Sequence, residues 1–303
     1  MFDIIVVGSG AAGLTAALYA QRAGKKVLIL EGNSVGGQIA YSPRVENFPT
    51  IMEISGSELS EMLCNQAMHH GAELEVGLVE KVEKLGDKFA VTTEFDETFE
   101  SKAVILATGV KHRHLGIEQE SKLVGKGVCY CAVCDGAFYK DQPVAVLGDG
   151  NTALQYALYL ADMASEVHLL TLTDKLMGDG KLQQRIASSD KITWHKNVNL
   201  YDIVGQSKVE GVMLRHQDGS EEKLPVDAIF IAIGQVPDNG KFAHLVDLDR
   251  QGYIVAGEDC TTKTAGLFVA GDCRTKGVRQ LTTAVGDGAT AATQAVNYIN
   301  SLD

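Results

Sequence analysis

The sequence predicts an α/β chain of two doubly wound, Rossmann-like domains, one inserted into the other. Three observations carry that reading. GSGAAG at 8–13 joins a β-branched run to an alanine-rich segment, and GDGNTA at 148–153 repeats the same arrangement. Two apolar runs ending at glycine, AVILATG at 103–109 and AIFIAIG at 228–234, then follow in equivalent places.

Ile4 to Val7 reads as a buried parallel strand, Gly8 to Gly13 as a turn, Leu14 to Ala23 as a helix closed by Gly24, and Lys26 to Leu30 as the next strand. The second copy reads as strand Val144–Leu147, turn Gly148–Ala153, helix Leu154–Met163 and strand Glu166–Leu170. Shorter alternating segments, Phe89–Thr93 and Val209–Arg215, read as further strands. No Ser/Pro-rich linker marks a boundary. The weakest points are His112–Ile117 and Gly234–Gly240, which make the second domain an insertion. The expected boundaries are 1–112 with 245–303 for the discontinuous domain and 113–244 for the inserted one.

Composition narrows the function classes. The chain has 303 residues, enough for two domains, and its 32 glycines with only five prolines fit glycine turns rather than low complexity. A net charge of −12 repels phosphate backbones, and no basic run suggests a lipid surface, so neither nucleic acid nor membrane is expected. The start MFDIIVVGSG lacks a signal-peptide pattern, and Gly8, Ser9, Gly10 and Gly13 interrupt the uncharged stretch Ile4–Gln21. Six cysteines are too sparse for a secreted disulfide scaffold. The reading is cytoplasmic.

In GSGAAG, Gly8 permits a tight turn, Gly10 lets backbone N–H groups approach a pyrophosphate, and Gly13 lets the helix pack on the strand. Glu31, 18 residues beyond Gly13, supplies a carboxylate for a ribose hydroxyl. In GDGNTA the turn is Gly148, Gly150, Asn151 and Thr152, with Ala153 in the third glycine's place. The same offset lands on Thr171, where there is neither an acid for a ribose nor an arginine for a 2′-phosphate. The nearest cations are Lys175, Lys181 and Arg185.

Residues 129–136 read CYCAVCDG. Cys131 and Cys134 form a C-x-x-C pair, which in a cytosolic βαβ chain suggests a redox disulfide, and Asp135 is placed to exchange a proton with a leaving thiolate. A metal site among His112, His114, Cys129, Cys131 and Cys134 is the alternative, but the spacing does not match a structural zinc pattern, and no metal is expected. Cys129 reads as a buried inert thiol, and Cys64, Cys260 and Cys273 as packing residues.

CAVCDG after GSGAAG and before GDGNTA resembles the low-molecular-weight thioredoxin reductases, FAD-dependent pyridine nucleotide-disulfide oxidoreductases, over essentially the whole chain. GGQ at 36–38, VENFP at 45–49, ATG at 107–109, FVAGD at 268–272 and RQLTTAVGDG at 279–288 lie in the family's order. The resemblance implies an NAD(P)-binding-like domain, carrying the redox pair, inserted into an FAD-binding domain. It implies FAD held by Gly8, Gly10, Ala11, Ala12, Gly13 and Glu31 on the adenosine side. Gly37, Gln38, Asn47, Thr108 and Gly109 would lie nearer the flavin. Gly271 and Asp272 would take the ribityl–phosphate side, with Arg279, Gln280 and Ala284 approaching from the C-terminal helix.

The implied activity is thioredoxin-disulfide reductase, with thioredoxin or a thioredoxin-like protein as partner and a homodimer as assembly. By the same analogy Cys131 attacks the partner and Cys134 faces the flavin. NADPH-using members carry an HRR-type motif with a further arginine. Here those positions are Thr171, Leu172, Thr173 and Met177. The donor therefore stands open between NAD(P)H and reduced ferredoxin. A flavin-bearing redox sensor or binding protein without turnover is the competing class.

Overall fold

The computed structural model describes residues 1–42 and 45–302. The chain divides into two compact units, 1–111 with 236–303 and 112–235.

The first unit holds strands β1 (Phe2–Val7), β2 (Val27–Glu31), β3 (Glu73–Val76), β4 (Val79–Leu85), β5 (Lys88–Thr93) and β6 (Thr98–Leu106), with α1 (Ala11–Arg22) and α2 (Gly56–His69). The chain leaves through β7 (Lys111–His112). The second unit follows with α3 (Glu118–Leu123), β8 (Val128–Cys129), α4 (Ala132–Asp135), β9 (Pro143–Leu147), α5 (Asn151–Ala161) and β10 (Glu166–Leu170). It continues with α6 (Gly180–Ala187), β11 (Ile192–His195), β12 (Val198–Val204), β13 (Gly211–His216), β14 (Glu221–Leu224) and β15 (Ala228–Ile231). The return runs through β16 (Gln235–Val236) to β17 (Leu267–Val269) and α7 (Leu281–Asn300).

The first unit's seven-stranded sheet has the order β3-β2-β1-β6-β5-β4, with β17 also on β6. β1, β2, β3, β6 and β17 run parallel, and β4 and β5 are antiparallel. β1 is central, and its β-branched Ile4, Ile5, Val6 and Val7 are buried on both faces, so it reads as an uninterrupted apolar run. One face of the sheet packs on α1 and α7, with Ala16, Ala17, Ala20, Ala291, Ala292 and Ala295 buried there. In the second unit, β11-β10-β9-β15-β8 form a parallel sheet, and β12-β13-β14 an antiparallel one.

Three boundaries differ most from the sequence-based expectation. α1 starts at Ala11 and α5 at Asn151, three residues earlier than expected, because Gly10 and Gly150 adopt extended backbone and serve as N-caps. The third position of each glycine motif thus lies inside the helix. The return to the first unit falls at 235/236 rather than 244/245. Phe242 and Leu245 are buried in the first unit's core, and Asn239, fully buried, donates to the carbonyls of Gly252 and Cys273 at 2.9 Å each.

Candidate functional site

The two glycine turns solve one steric problem in the same way. Gly8 has φ +107°, and a Cβ there would lie 2.4 Å from the Ala107 carbonyl oxygen. Gly148 has φ +139°, and a Cβ would lie 2.4 Å from the Ala232 carbonyl oxygen. Ala107 and Ala232 occupy matching places in the two apolar runs that end at glycine, so each turn sits under its neighbouring strand where only glycine fits. A Cβ on Gly13 would come 1.9 Å from the Gly8 carbonyl oxygen, which accounts for glycine at the third position.

Gly10 is different. The nearest atom to a Cβ there is the Gly36 carbonyl oxygen at 4.0 Å, and α1 begins with no side-chain cap and no acid in its first turn. Ala11, Ala12 and Gly13 form the first turn of α1, whose N–H groups have no acceptor within the helix and carry its positive end, and Gly10 leaves room beside them, a cradle suited to a phosphate anion. Glu31 is buried at the end of β2. Its Oε2 accepts from Ser9 N and Ser9 Oγ at 2.7 Å each, and its Oε1 accepts from Asn33 N at 2.8 Å, leaving further lone pairs for a ribose hydroxyl.

The GGQ segment abuts this cradle. Gly36 bridges Gly10 and donates to the Ser9 carbonyl at 3.0 Å, and Gly37 opens a 3₁₀ turn, Gly37–Tyr41, that contains Gln38. Asn47 and Gln280, 233 residues apart, come together with Asn47 Nδ2 donating to Gln280 Oε1 at 3.4 Å. Thr108 donates to Asn239 Oδ1 at 3.1 Å, and Gly109 follows with φ +65°. Gly271 lies against Ala12, with Ala284 close by, so these three sequence-distant positions converge. Arg279 and Gln280 lie in the turn before α7 rather than on the helix. The Arg279 guanidinium donates to the Asp272 and Arg274 carbonyls at 3.3 Å and stacks on Tyr253.

Asp272 Oδ1 is buried without a hydrogen-bond partner, 4.0 Å from Lys276 Nζ. Burial pushes its carboxyl up, against the pull of Lys276 and Arg279. An orphaned acceptor is the observation that a ligand hydroxyl would satisfy. Together with the open Gly10 cradle and the held Glu31 carboxylate, it fits a dinucleotide such as FAD.

A buried ion cluster supports this side, and sequence reading missed it. Asp287 accepts from Arg274 Nε at 2.9 Å, Arg274 Nη2 at 2.7 Å, Lys276 Nζ at 2.9 Å and the Gly271 backbone at 3.0 Å. The available signal was Asp287, the only charged residue between positions 280 and 302, following the cations Arg274 and Lys276.

In the second unit, Gly150 is open as Gly10 is, and Ala153 is fully buried in α5. Asn151 Oδ1 accepts from Asp179 N at 2.6 Å, and Met177 N donates to the Asp149 carbonyl at 2.8 Å. Thr171 is buried with its hydroxyl committed, donating to the Thr173 carbonyl at 2.7 Å and accepting from Trp194 Nε1 at 2.9 Å. Leu172 is 67% exposed and Met177 74% exposed, so two of the three arginine positions of the implied motif present apolar side chains, and the third, Thr173, has its hydroxyl bonded to the Lys175 backbone.

Cys131 and Cys134 are disulfide-bonded, with Cα atoms 5.3 Å apart. Cys131 is the N-cap of α4, and its Sγ accepts from Cys134 N at 3.2 Å. Asp135 N donates to the Cys131 carbonyl at 3.0 Å. Burial raises the Asp135 carboxyl to about 6, partly offset by a hydrogen bond from Cys129, so it is a weak acid poised near neutrality. Burial and Asp135 hold the Cys129 thiol well above its ordinary value, as an unreactive neutral group hydrogen-bonded to Tyr139. Cys260 and Cys273 are buried, and Cys64 is half-buried. Among the described residues, no group of three or more His, Cys, Asp or Glu is arranged to hold a metal ion, and no helix is long and apolar enough to cross a membrane.

A chain with two phosphate-cradling turns and a redox-type disulfide beside a perturbed carboxyl belongs among the flavin- and nucleotide-linked disulfide proteins. Comparison with known sequences sharpens this. The family described as pyridine nucleotide-disulphide oxidoreductase matches residues 2–288, and the chain belongs to that family. It is similar to the thioredoxin reductase of Listeria monocytogenes, 40% identical over 100% of this chain and 95% of the relative. Among solved structures it is similar to the thioredoxin reductase from Streptococcus pyogenes, with 38% identity, a TM-score of 0.95 and 99% of each chain covered. The thioredoxin reductase from Giardia duodenalis is also similar, with 32% identity, a TM-score of 0.92 and 99% of each chain covered.

Proposed function

We propose that the chain is an FAD-dependent thioredoxin-disulfide reductase that passes electrons to the Cys131–Cys134 disulfide and on to thioredoxin or a thioredoxin-like protein. The observation that carries this is the bonded pair at the start of α4, next to a carboxyl raised to about 6, in a chain whose relatives at 40% identity are thioredoxin reductases. FAD, when bound, supplies the electron pair that opens the disulfide.

The residues of the first unit then have binding roles. Ala11, Ala12 and Gly13 offer N–H groups to the pyrophosphate, Gly8 and Gly10 leave it room, and Glu31 accepts a ribose hydroxyl. Asp272 Oδ1 accepts a hydroxyl on the ribityl side. Gly37, Gln38, Asn47, Thr108, Gly109, Gly271, Arg279, Gln280 and Ala284 shape the remainder.

As the disulfide opens, one sulfur leaves as a thiol by taking the Asp135 proton. The Cys131 thiolate attacks one sulfur of the partner disulfide, forming a new S–S bond while the partner's other sulfur leaves and is protonated. Cys134, deprotonated by Asp135, attacks Cys131 Sγ, so the enzyme disulfide re-forms and the partner departs as a dithiol. Asp135 thereby regains the proton it lent, so the two electrons that opened the disulfide reach the partner together with two protons taken up from solvent.

The committed Thr171 hydroxyl and the apolar Leu172 and Met177 favour a donor other than tightly held NADPH. Reduced ferredoxin and weakly held NAD(P)H are the two candidates. The family's usual assembly is a homodimer, and the sparse cysteines, with Cys64, Cys129, Cys260 and Cys273 free, suit the cytoplasm. Steady-state turnover with thioredoxin is the test: Cys134→Ser should lower it at least about a thousandfold, as expected when one member of a catalytic pair is lost. A Cys134→Ser enzyme that still reduces thioredoxin would sink the mechanism. Flavin that bleaches slowly with every donor and gives no turnover would instead make the chain a redox sensor. Rapid bleaching by micromolar NADPH would overturn the donor reading.

A further inference from the structure

The residue before Cys131 is gripped on three sides. Tyr130 Oη donates to Glu120 Oε1 at 2.8 Å and lies 2.9 Å from His114 Nδ1. Its ring stacks on His112, with centroids 4.9 Å apart, and meets His114 edge-on at 5.5 Å. Its carbonyl accepts from Tyr156 Oη at 3.2 Å.

Glu120, on α3, is 3% exposed. Its Oε2 accepts from Leu115 N at 2.9 Å and Gly116 N at 3.1 Å, and its Oε1 also lies 3.3 Å from His114 Nδ1. Burial and the Glu120 carboxylate push the Tyr130 phenol up, so it keeps its proton and remains a donor. With that proton committed to Glu120, the free lone pair of Tyr130 Oη accepts from His114 Nδ1–H, which assigns the imidazole tautomer. A buried carboxylate with every oxygen satisfied is a rigid anchor, because removing any partner leaves charge uncompensated.

The anchor is one peptide unit from the redox pair. Cys131 is the N-cap of α4, and its sulfur already accepts the Cys134 N–H. We propose that Glu120, Tyr130 and His114 are positioning residues for the pair, fixing the backbone entering Cys131 so that its sulfur stays on the Cys134 N–H when the pair is reduced. This rests on reading the pair as a redox couple with Cys131 as the attacking sulfur. A hydrogen bond to a thiolate is stronger than one to a disulfide sulfur, so the clamp favours the dithiol over the disulfide. It also acts on the transition state for attack more than on docking of the partner.

The test is the equilibrium between the holoenzyme and glutathione. The enzyme dithiol plus one glutathione disulfide gives the enzyme disulfide plus two glutathione thiols, so sulfurs, protons and electrons balance. Samples equilibrated without oxygen at one fixed pH are quenched in acid and alkylated, and the dithiol fraction is counted. Tyr130→Phe keeps the stacked ring and deletes the hydroxyl. It should shift the equilibrium constant toward the enzyme disulfide by about five- to tenfold, the equivalent of one net hydrogen bond, and lower kcat for thioredoxin with KM little changed. Glu120→Gln should move it the same way. Glu118→Gln, on the same helix but paired at the surface with Lys122, should leave it unmoved.

A Tyr130→Phe constant within twofold of wild type, in protein that keeps its flavin, overturns the clamp. If Tyr130→Phe does not fold, an unmoved constant in Glu120→Gln overturns it equally. A wild-type pair whose dithiol count ignores the redox buffer removes the redox reading itself and this inference with it.

Discussion

Replacing Asp287 by asparagine should weaken the first unit by a calculable amount. The carboxylate accepts four hydrogen bonds, three of them from the buried cations Arg274 and Lys276, whose side chains are 3% and 6% exposed. Asparagine keeps the shape but removes the charge and turns an NH₂ group toward one of the cations. Breaking one partner of a buried pair costs about 3–5 kcal/mol. Asp272, 4.0 Å from Lys276, supplies partial compensation, so the low end, about 3 kcal/mol, applies. For a unit of this size about 2–4 °C of Tm is lost per kcal/mol, so calorimetry of Asp287→Asn at saturating FAD should show the transition about 6–12 °C lower. Burial alone would raise the Asp287 carboxyl, but the hydrogen bonds from Arg274 and Lys276 outweigh it and hold the group below its ordinary 3.8. A depressed carboxyl stabilises fully above its unfolded value and progressively less as pH falls through the folded one. The gap between wild type and variant should therefore narrow below about pH 4. A Tm drop under 2 °C at pH 7, or a gap unchanged in acid, would refute the electrostatic account.

Two further outcomes follow from the sites. Gly10→Val meets no protein atom nearer than 4.0 Å at its Cβ, and Gly10 has φ −67°, so the variant should fold with wild-type circular dichroism yet purify colourless. Yellow protein would mean the cradle is not where FAD lies. Asp135, raised to about 6, loses its proton as pH rises through that value, so kcat/KM should fall on the alkaline side of a limb near pH 6. In Asp135→Asn the limb should vanish and the rate drop by about two orders of magnitude. A limb that persists in the variant assigns the proton elsewhere.

What the sequence made legible was local. The turns at 8–13 and 148–153, the strands beside them, Glu31 and the C-x-x-C pair all announce themselves within about 25 residues, because glycine geometry and apolar runs act over one turn or one strand. What stayed hidden was long-range. Asn239 bonds carbonyls 13 and 34 residues away and so belongs to the first unit, which puts the return inside the weak stretch Gly234–Gly240 and before the expected residue 245. The Asp287 cluster and the Glu120–Tyr130–His114 grip join side chains whose partners no periodicity specifies. Cys129 looked inert and is buried, but its hydrogen bond to Asp135 appears only once β8 and α4 are placed together.

The close approach of the chain's two ends sets an order of events during synthesis. Gly288 on α7 lies so near α1 that a Cβ would come 2.2 Å from the Ala12 carbonyl oxygen, and these two helices share one buried alanine layer. A nascent chain that has emerged only as far as residue 235 already holds everything the inserted unit needs. Its amino-terminal sheet, by contrast, still lacks β17 and α7 at that point, and α1 covers the alanine face without its neighbour. During that interval the part of the alanine layer that α7 later covers is open to chaperones and to self-association.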